Sequence, residues 1–491
     1  MKNSIKIIAI IVALVIVGCD DYLETLPAGQ ENSENFFNSA EDYENALIGV
    51  YDLLSTTYLN QILGEIASDN SLCGGENPTD VLDWQQIDDM THNPDNGALR
   101  NIFQWMYAGI SRANYIIEFK DKTPFNRKEQ VLAETKFLRA YYYFELVKFF
   151  GSVPMYLDKR ISLEEAQTID KSPTATIYTQ LENDLQSAAS ILPWQQTQSG
   201  RATRGAALAL LGKIYLYQQK FDLAAQTLDQ VISAGQYSLI SDFSTIFSNQ
   251  NENNSESVFE VQYFGQEGAS FNCFQCVEGN IAVGFMGPRF RTGNYAPYAD
   301  GFSFNIPTLD IINAYQTGDT RKDATYFNID DFVATRPDVT FTEGNDHNGY
   351  FNFKYIPFAE GNALDARLTH SNNYRAIRYA DVLLMAAEAH VQSGNTGVAQ
   401  GYLDQIRDRA FGNTTNRITV TLDNILQERR LELAGEGHRF FDQVRTGQTS
   451  SIPGFTANKN ELFPIPRIEI ELAGNNWCQN KGYATSTCSE Q

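Results

Sequence analysis

The chain has 491 residues, 43% of them hydrophobic, and its 60 acidic against 37 basic side chains give a formal net charge of −23. That is enough for two or three ordinary domains or for one helical array with insertions. Such an acidic balance argues against nucleic acid and, more weakly, against any anionic polymer, so a neutral ligand is the easier partner.

Lys2 and Lys6 precede an apolar run from Ile7 to Val17, too short to span a bilayer but suited to the hydrophobic region of a secretory signal. Gly18 and Cys19 follow at once. A small residue and then Cys at the end of such a run resembles the lipobox of bacterial lipoproteins. That reading makes residues 1–18 a signal peptide and Cys19 the lipid-carrying start of the mature chain. An ordinary cleaved signal with an incidental Cys is the alternative. Asp20 and Asp21 resemble the acidic surface-export signal of some Gram-negative envelopes. Nothing further along is long and apolar enough to cross a membrane, so the chain is expected to be anchored rather than spanning.

From Phe36 to Tyr51, Ser39 can cap a helix whose inner face carries Tyr43, Ala46, Leu47 and Val50. Further helices are read around Ala98 to Phe119, Gln130 to Phe149 and Thr174 to Leu192. The clearest statement of architecture is Arg201 to Gly235. Ala207, Leu208, Leu211, Ile214 and Tyr215 form an apolar stripe after Thr203, a candidate N-cap. Phe221, Ala224, Ala225, Leu228, Val231 and Ile232 form a second stripe that ends before Gly235, where a left-handed C-terminal cap belongs. Gly212 and Ala224 would let the two backbones approach closely. The pattern resembles a tetratricopeptide repeat, a unit that cannot bury its face without neighbours. Ala386, Ala387, His390, Gly394, Ala399, Leu403 and Ile406 repeat it.

The helical period lapses between Tyr237 and Tyr374, yet eleven aromatics lie between Phe259 and Phe304, too many for a solvated linker. The expected fold is therefore mainly α. A tetratricopeptide-like scaffold of about four helical pairs (about 30–235 and 375–450) is interrupted by a large loop-rich insertion containing short strands (about 236–374). A C-terminal tail (451–491) completes a single domain over 19–491.

Six segments in order carry a family resemblance: CDDYLETLP from Cys19, ETKFLRAYYYFELVKFFGSVP at 134–154, TGDTRKD at 317–323, RYADVLLMAAEA at 378–389, ERRLELAGEGHRFFDQVR at 428–445 and LFPIPRIEI at 462–470. Together they are similar to the SusD/RagB family of surface lipoproteins that work beside SusC-type TonB-dependent transporters. The resemblance implies an outer-membrane, lipid-anchored protein that catalyses nothing. It would capture an extracellular oligo- or polysaccharide and deliver it to a SusC-like barrel. A peptide ligand, as in RagB-like import components, and a ligand-free assembly scaffold are the alternatives, with a glycoside hydrolase behind them.

The residues themselves show no Gly-x-Ser-x-Gly elbow, Gly-rich phosphate loop or His-Glu-x-x-His helix. His390 reads as a packed core histidine. His438 and Asp442, with Glu436, Arg439 and Arg445, read as a structural polar network. A sugar offers an apolar face and a rim of hydroxyls, which calls for flat side chains beside Asp, Asn or Arg. Two regions qualify: the loop Ser68 to Asp95, with Asp69, Asn70 and Trp84, and the segment Phe285 to Tyr298, with Arg289, Arg291, Asn294, Tyr295 and Tyr298. Trp105, Trp194 and Trp477 are assigned to packing. Asp88, Asp89, Asp95 and the Asn345 to Asn348 cluster could supply oxygens to Ca²⁺ but lack EF-hand spacing, and solvated turns describe them better. No cofactor or metal is otherwise expected. Cys478 and Cys488 are candidates to staple the tail. Cys273 and Cys276 suit a short loop disulfide, with a redox or zinc role, or pairing of either with Cys73, as rivals.

Overall fold

The computed structural model describes residues 36–267, 270–359 and 367–483. Cys19, the signal segment and Cys488 lie outside these residues. Among the described residues no helix is long and apolar enough to cross a membrane.

Helices dominate. Ser39 caps Ala40–Asp52 through a full capping box with Asp42. The long helices Gly97–Glu118 and Lys128–Phe150 pack on each other, and the succession continues through Thr174–Ile191, Arg204–Tyr217, Phe221–Ser233, Tyr379–Gln392 and Thr396–Phe411, each element lying against the next. Stacking of this kind buries one continuous core, to which nearly every helix contributes.

The hairpin at the centre forms as its sequence predicts. The Thr203 hydroxyl accepts the Ala206 N–H at 3.1 Å, and Gly235 takes a φ of +64° at the far end. A Cβ on Gly212 would lie 2.5 Å from Leu228 Cγ, so the close approach of the two helices requires glycine there. One detail differs: Arg204–Tyr217 is buried from Gly205 to Leu216 on all sides, not along a single stripe. It is flanked by Thr174–Ile191 and Phe221–Ser233, which leaves it no solvent face.

The chain leaves the stack after Phe221–Ser233 and rejoins it at Tyr379–Gln392, the next helix in the pile. Tyr237 and Tyr379 stack at the junction with ring centroids 6.4 Å apart. The intervening segment carries short two-stranded ladders, among them Ser257–Val261 with Tyr374–Arg378 and Arg289–Thr292 with Thr340–Thr342. Its satellite core gathers Phe290, Phe327, Phe332 and Phe351.

The polar network around 428–445 is structural and larger than expected. Asp442 pairs with Arg429 and Arg445, and Arg445 also holds Glu388. Glu436 belongs to a second buried cluster with Arg378 and Lys354. His438 stands beside Lys213, and burial first, with that ammonium second, lowers its pKa to about 3. His390 is buried against Asp229.

Candidate functional site

One ladder brings the early loop and the insertion together. Ser71–Gly74 pairs antiparallel with Phe304–Pro307, and Gly75 N–H donates to the Ser303 carbonyl at 2.8 Å. Arg289 completes the join: its Nε donates to Ser303 Oγ at 2.8 Å and its Nη2 to Asp80 Oδ2 at 2.9 Å. Three apolar rings are thereby assembled from distant parts of the chain. Trp84 packs on Phe285 and Phe304 at centroid distances of 4.8 and 5.1 Å.

Above this floor opens a cavity of about 350 Å³, within the size range of small-ligand sites. Phe271, Phe274 and Phe302 form its wall, with Phe271 edge-on to both others at 5.9 and 5.7 Å. Phe271 is 53% exposed, an unusual state for an aromatic already in contact with two rings. Glu76, Asp80, Asp83, Arg289 and Asn101 supply the polar rim. Val81, also at the rim, holds a φ of +47°, a left-handed conformation that is costly for a β-branched residue and is concentrated at functional sites.

The Cys273–Cys276 disulfide forms, as expected of the short loop. It brackets Phe274, whose turn has otherwise only long backbone hydrogen bonds of 3.3 to 3.4 Å. Pairing of Cys73 with either partner is overturned. Cys73 is buried, and burial followed by nearby carboxylates, Asp88 first, pushes its thiol pKa far up.

Several expected site residues serve other ends. Trp84, at 5% exposure, is floor rather than platform. Asp69 is bound in two bonds from Arg439, at 2.7 and 2.9 Å, and one from Ser451. Asn70 is fully buried and accepts from Arg430 Nε at 2.8 Å. Tyr298 packs into the satellite core against Phe327 and Phe332. Tyr295 is half-buried and stacks flat on Phe290, while the exposed Asn294 caps its own turn by accepting the Ala296 N–H. Arg291 lies exposed two residues beyond Arg289 on the same strand, where its Nε donates to Thr342 Oγ1, and it does not line the pocket. Asp88 is no solvated turn residue: its carboxylate accepts the Cys73 N–H at 2.6 Å, and burial raises its pKa to about 7. Asp95 pairs with Arg467 at the surface. Among the described residues no group of three or more His, Cys, Asp or Glu is placed to hold a metal ion. The wall residues Phe271 and Phe274 are not among those expected from the sequence, although one aromatic just before a Cys-x-x-Cys and one inside it, in a polar loop, are there to be read.

A helical-repeat scaffold presenting a loop-built aromatic pocket is the class of protein that this fold and site define. The comparisons narrow it. A model of the SusD family matches residues 323–460, and one described as starch-binding, associating with outer membrane, matches residues 21–216. A solved laminarin-binding SusD-like protein is 32% identical, with a TM-score of 0.82 over 91% of this chain and 100% of the other. The chain belongs to the SusD-like family. Surface glycan-binding protein A from Bacteroides thetaiotaomicron, solved with laminarihexaose, is 26% identical with a TM-score of 0.81 over 90% of this chain and 99% of that one. SusD-like protein P2 from Formosa agariphila is 28% identical over 97% of this chain and 99% of its own length.

Proposed function

We propose that the chain binds a neutral glycan in the pocket walled by Phe271, Phe274 and Phe302, as a lipid-anchored surface protein that hands its ligand to a SusC-like TonB-dependent transporter. The exposed ring of Phe271 beside a hydrogen-bonding rim carries the reading, because it is where a sugar's C–H face and hydroxyls would both be met. The rim has three carboxylates to one guanidinium, and that guanidinium is already engaged by Asp80. An anionic glycan would therefore be repelled, in keeping with the net charge. The relatives named for laminarin and starch point the same way. Binding occurs without cleavage, and modest affinity suits a protein that must release its cargo.

Calorimetric titration with laminarin and with soluble starch tests this. Binding to at least one, weakened by Phe271→Ala and leaving the glycan uncleaved, is the expected result. Absence of binding to any neutral polysaccharide would overturn it. Mass spectrometry of the mature N-terminus, with Cys19→Ala as control, tests the lipid, and co-purification tests the transporter.

A further inference from the structure

Two more cavities adjoin each other through shared lining residues. The first, of about 360 Å³, is lined by half-exposed Trp194 together with Gln195, Gln198, Gln236 and Asn253. Trp194 was expected to be packing. It does pack against the main core, and its half-exposed ring also lines this groove with the Arg204 guanidinium 5.4 Å away, while the Arg204 Nε is buried without an acceptor among the described residues. The middle cavity, of about 730 Å³, shares Gln198 to Arg201 and Glu260 with the first and adds Asn45, Ser55 and Ile48. Ile48 is 55% exposed. The aromatic pocket begins at Tyr58, one turn beyond Ser55 on the same helical run.

Gly200 fixes this geometry. Its φ is +82°, and a Cβ there would lie 2.2 Å from Gln262 Cγ, so the Gln198–Arg201 loop sits down against the strand edge with open space on either side. Most charged groups along the way are already matched, the exposed Glu278 of the middle cavity excepted. Arg201 is held by Glu44 and Glu134, and Asp52 by Arg112. The rest of the lining is amide, hydroxyl and one indole: Gln195 donates to Gln236 and Asn253 exchanges bonds with Gln262, exposed pairs that a sugar hydroxyl can replace, and Ile48 stands exposed in the middle cavity.

We infer that the three cavities form one track, in which Trp194 is a distal saccharide subsite engaged only by a chain long enough to reach it from the aromatic pocket. The inference rests on the glycan reading above and adds a dependence on polymer length. A ligand held at both ends gains affinity from the second contact by effective concentration, which a short ligand cannot do.

The test compares laminaritriose with laminarin, and maltotriose with soluble starch, on wild type, Phe271→Ala and Trp194→Ala. Phe271→Ala should weaken the trisaccharide and the polymer alike. Trp194→Ala should weaken the polymer at least five-fold and leave the trisaccharide unchanged. The double variant Gln195→Ala/Gln236→Ala, which keeps the indole in place, should show the same length dependence if Trp194→Ala proves unstable. Polymer binding by both groove variants equal to wild type, with Phe271→Ala impaired, overturns the track and leaves the pocket standing. Failure of wild type to bind any of the four sugars overturns both.

Discussion

Arg378 and Glu436 meet in a two-point ion pair in the protein interior, Nε to Oε2 and Nη2 to Oε1 both at 2.8 Å, with the two side chains 1% and 0% exposed. They tie the start of the returning helical layer to the turn after Leu422–Glu432, and Lys354 from the insertion adds a third bond at 2.8 Å. A buried pair of this kind contributes little over an apolar replacement of both partners, but removing one partner strands the other. Glu436→Gln is therefore expected to cost about 3 to 5 kcal/mol in urea unfolding. A loss below about 1 kcal/mol would show that Arg378 finds sufficient compensation in Glu256 and Glu432.

The division of labour between Trp84 and Phe271 predicts opposite phenotypes. Trp84→Ala empties a space between Phe285 and Phe304 and should destabilise by about 3 to 5 kcal/mol. Phe271→Ala should change stability by less than about 0.5 kcal/mol while weakening glycan binding about tenfold, equivalent to about 1.4 kcal/mol. Thermal melts and titrations on the same two preparations check both statements.

Asp88 gives the fold a dependence on pH. Its folded pKa of about 7 lies above the carboxylate value of 3.8, so the unfolded chain gives up this proton first as pH rises. The stabilising contribution of the protonated form is complete below about pH 4 and is lost as pH rises through about 7. Asp88→Asn, which can still accept the Cys73 N–H, should raise the melting temperature at pH 8, by on the order of 2 kcal/mol of stability, and match wild type at pH 4. A variant that is no more stable at pH 8 would contradict the assignment.

His370 acts in the opposite direction. Both ring nitrogens are buried without hydrogen-bond partners among the described residues, and burial lowers its pKa to about 4 from the usual 6.5. Between those values the unfolded chain binds a proton that the folded chain refuses, so stability falls as pH drops through 6.5. In His370→Phe that penalty is absent, and the melting temperature of the variant relative to wild type should increase from pH 7.5 to pH 5. An unchanged difference would show that the ring is protonated in the fold.

The features legible in the sequence were those set by near neighbours. Ser39 and Thr203 cap their helices through residues three positions on, and Gly212 faces a helix that begins nine residues later. The family and its helical stack could be read from such segments. Asp69 and Asn70 could not be placed because their partners, Arg439 and Arg430, lie some 360 to 370 residues away in the chain. Trp84 failed for another reason: composition tells which side chains can face a sugar, whereas exposure depends on what the insertion lays over them. Here Phe285 and Phe304 cover the indole and leave Phe271 outside.

The stacked rings of Tyr237 and Tyr379 mark two points on the scaffold that would be near neighbours even if the residues between them were replaced. A segment of almost any length can bridge such points, since each doubling of a loop costs only about 0.6 kcal/mol in closure entropy. The helical pile can thus keep one form while the recognition segment is exchanged as a cassette. Grafting residues 238–378 from a relative that takes a different sugar, with Lys354 and Arg378 kept to hold Glu436 and Glu256 kept to hold Arg378, is a direct route to redirecting this protein's appetite.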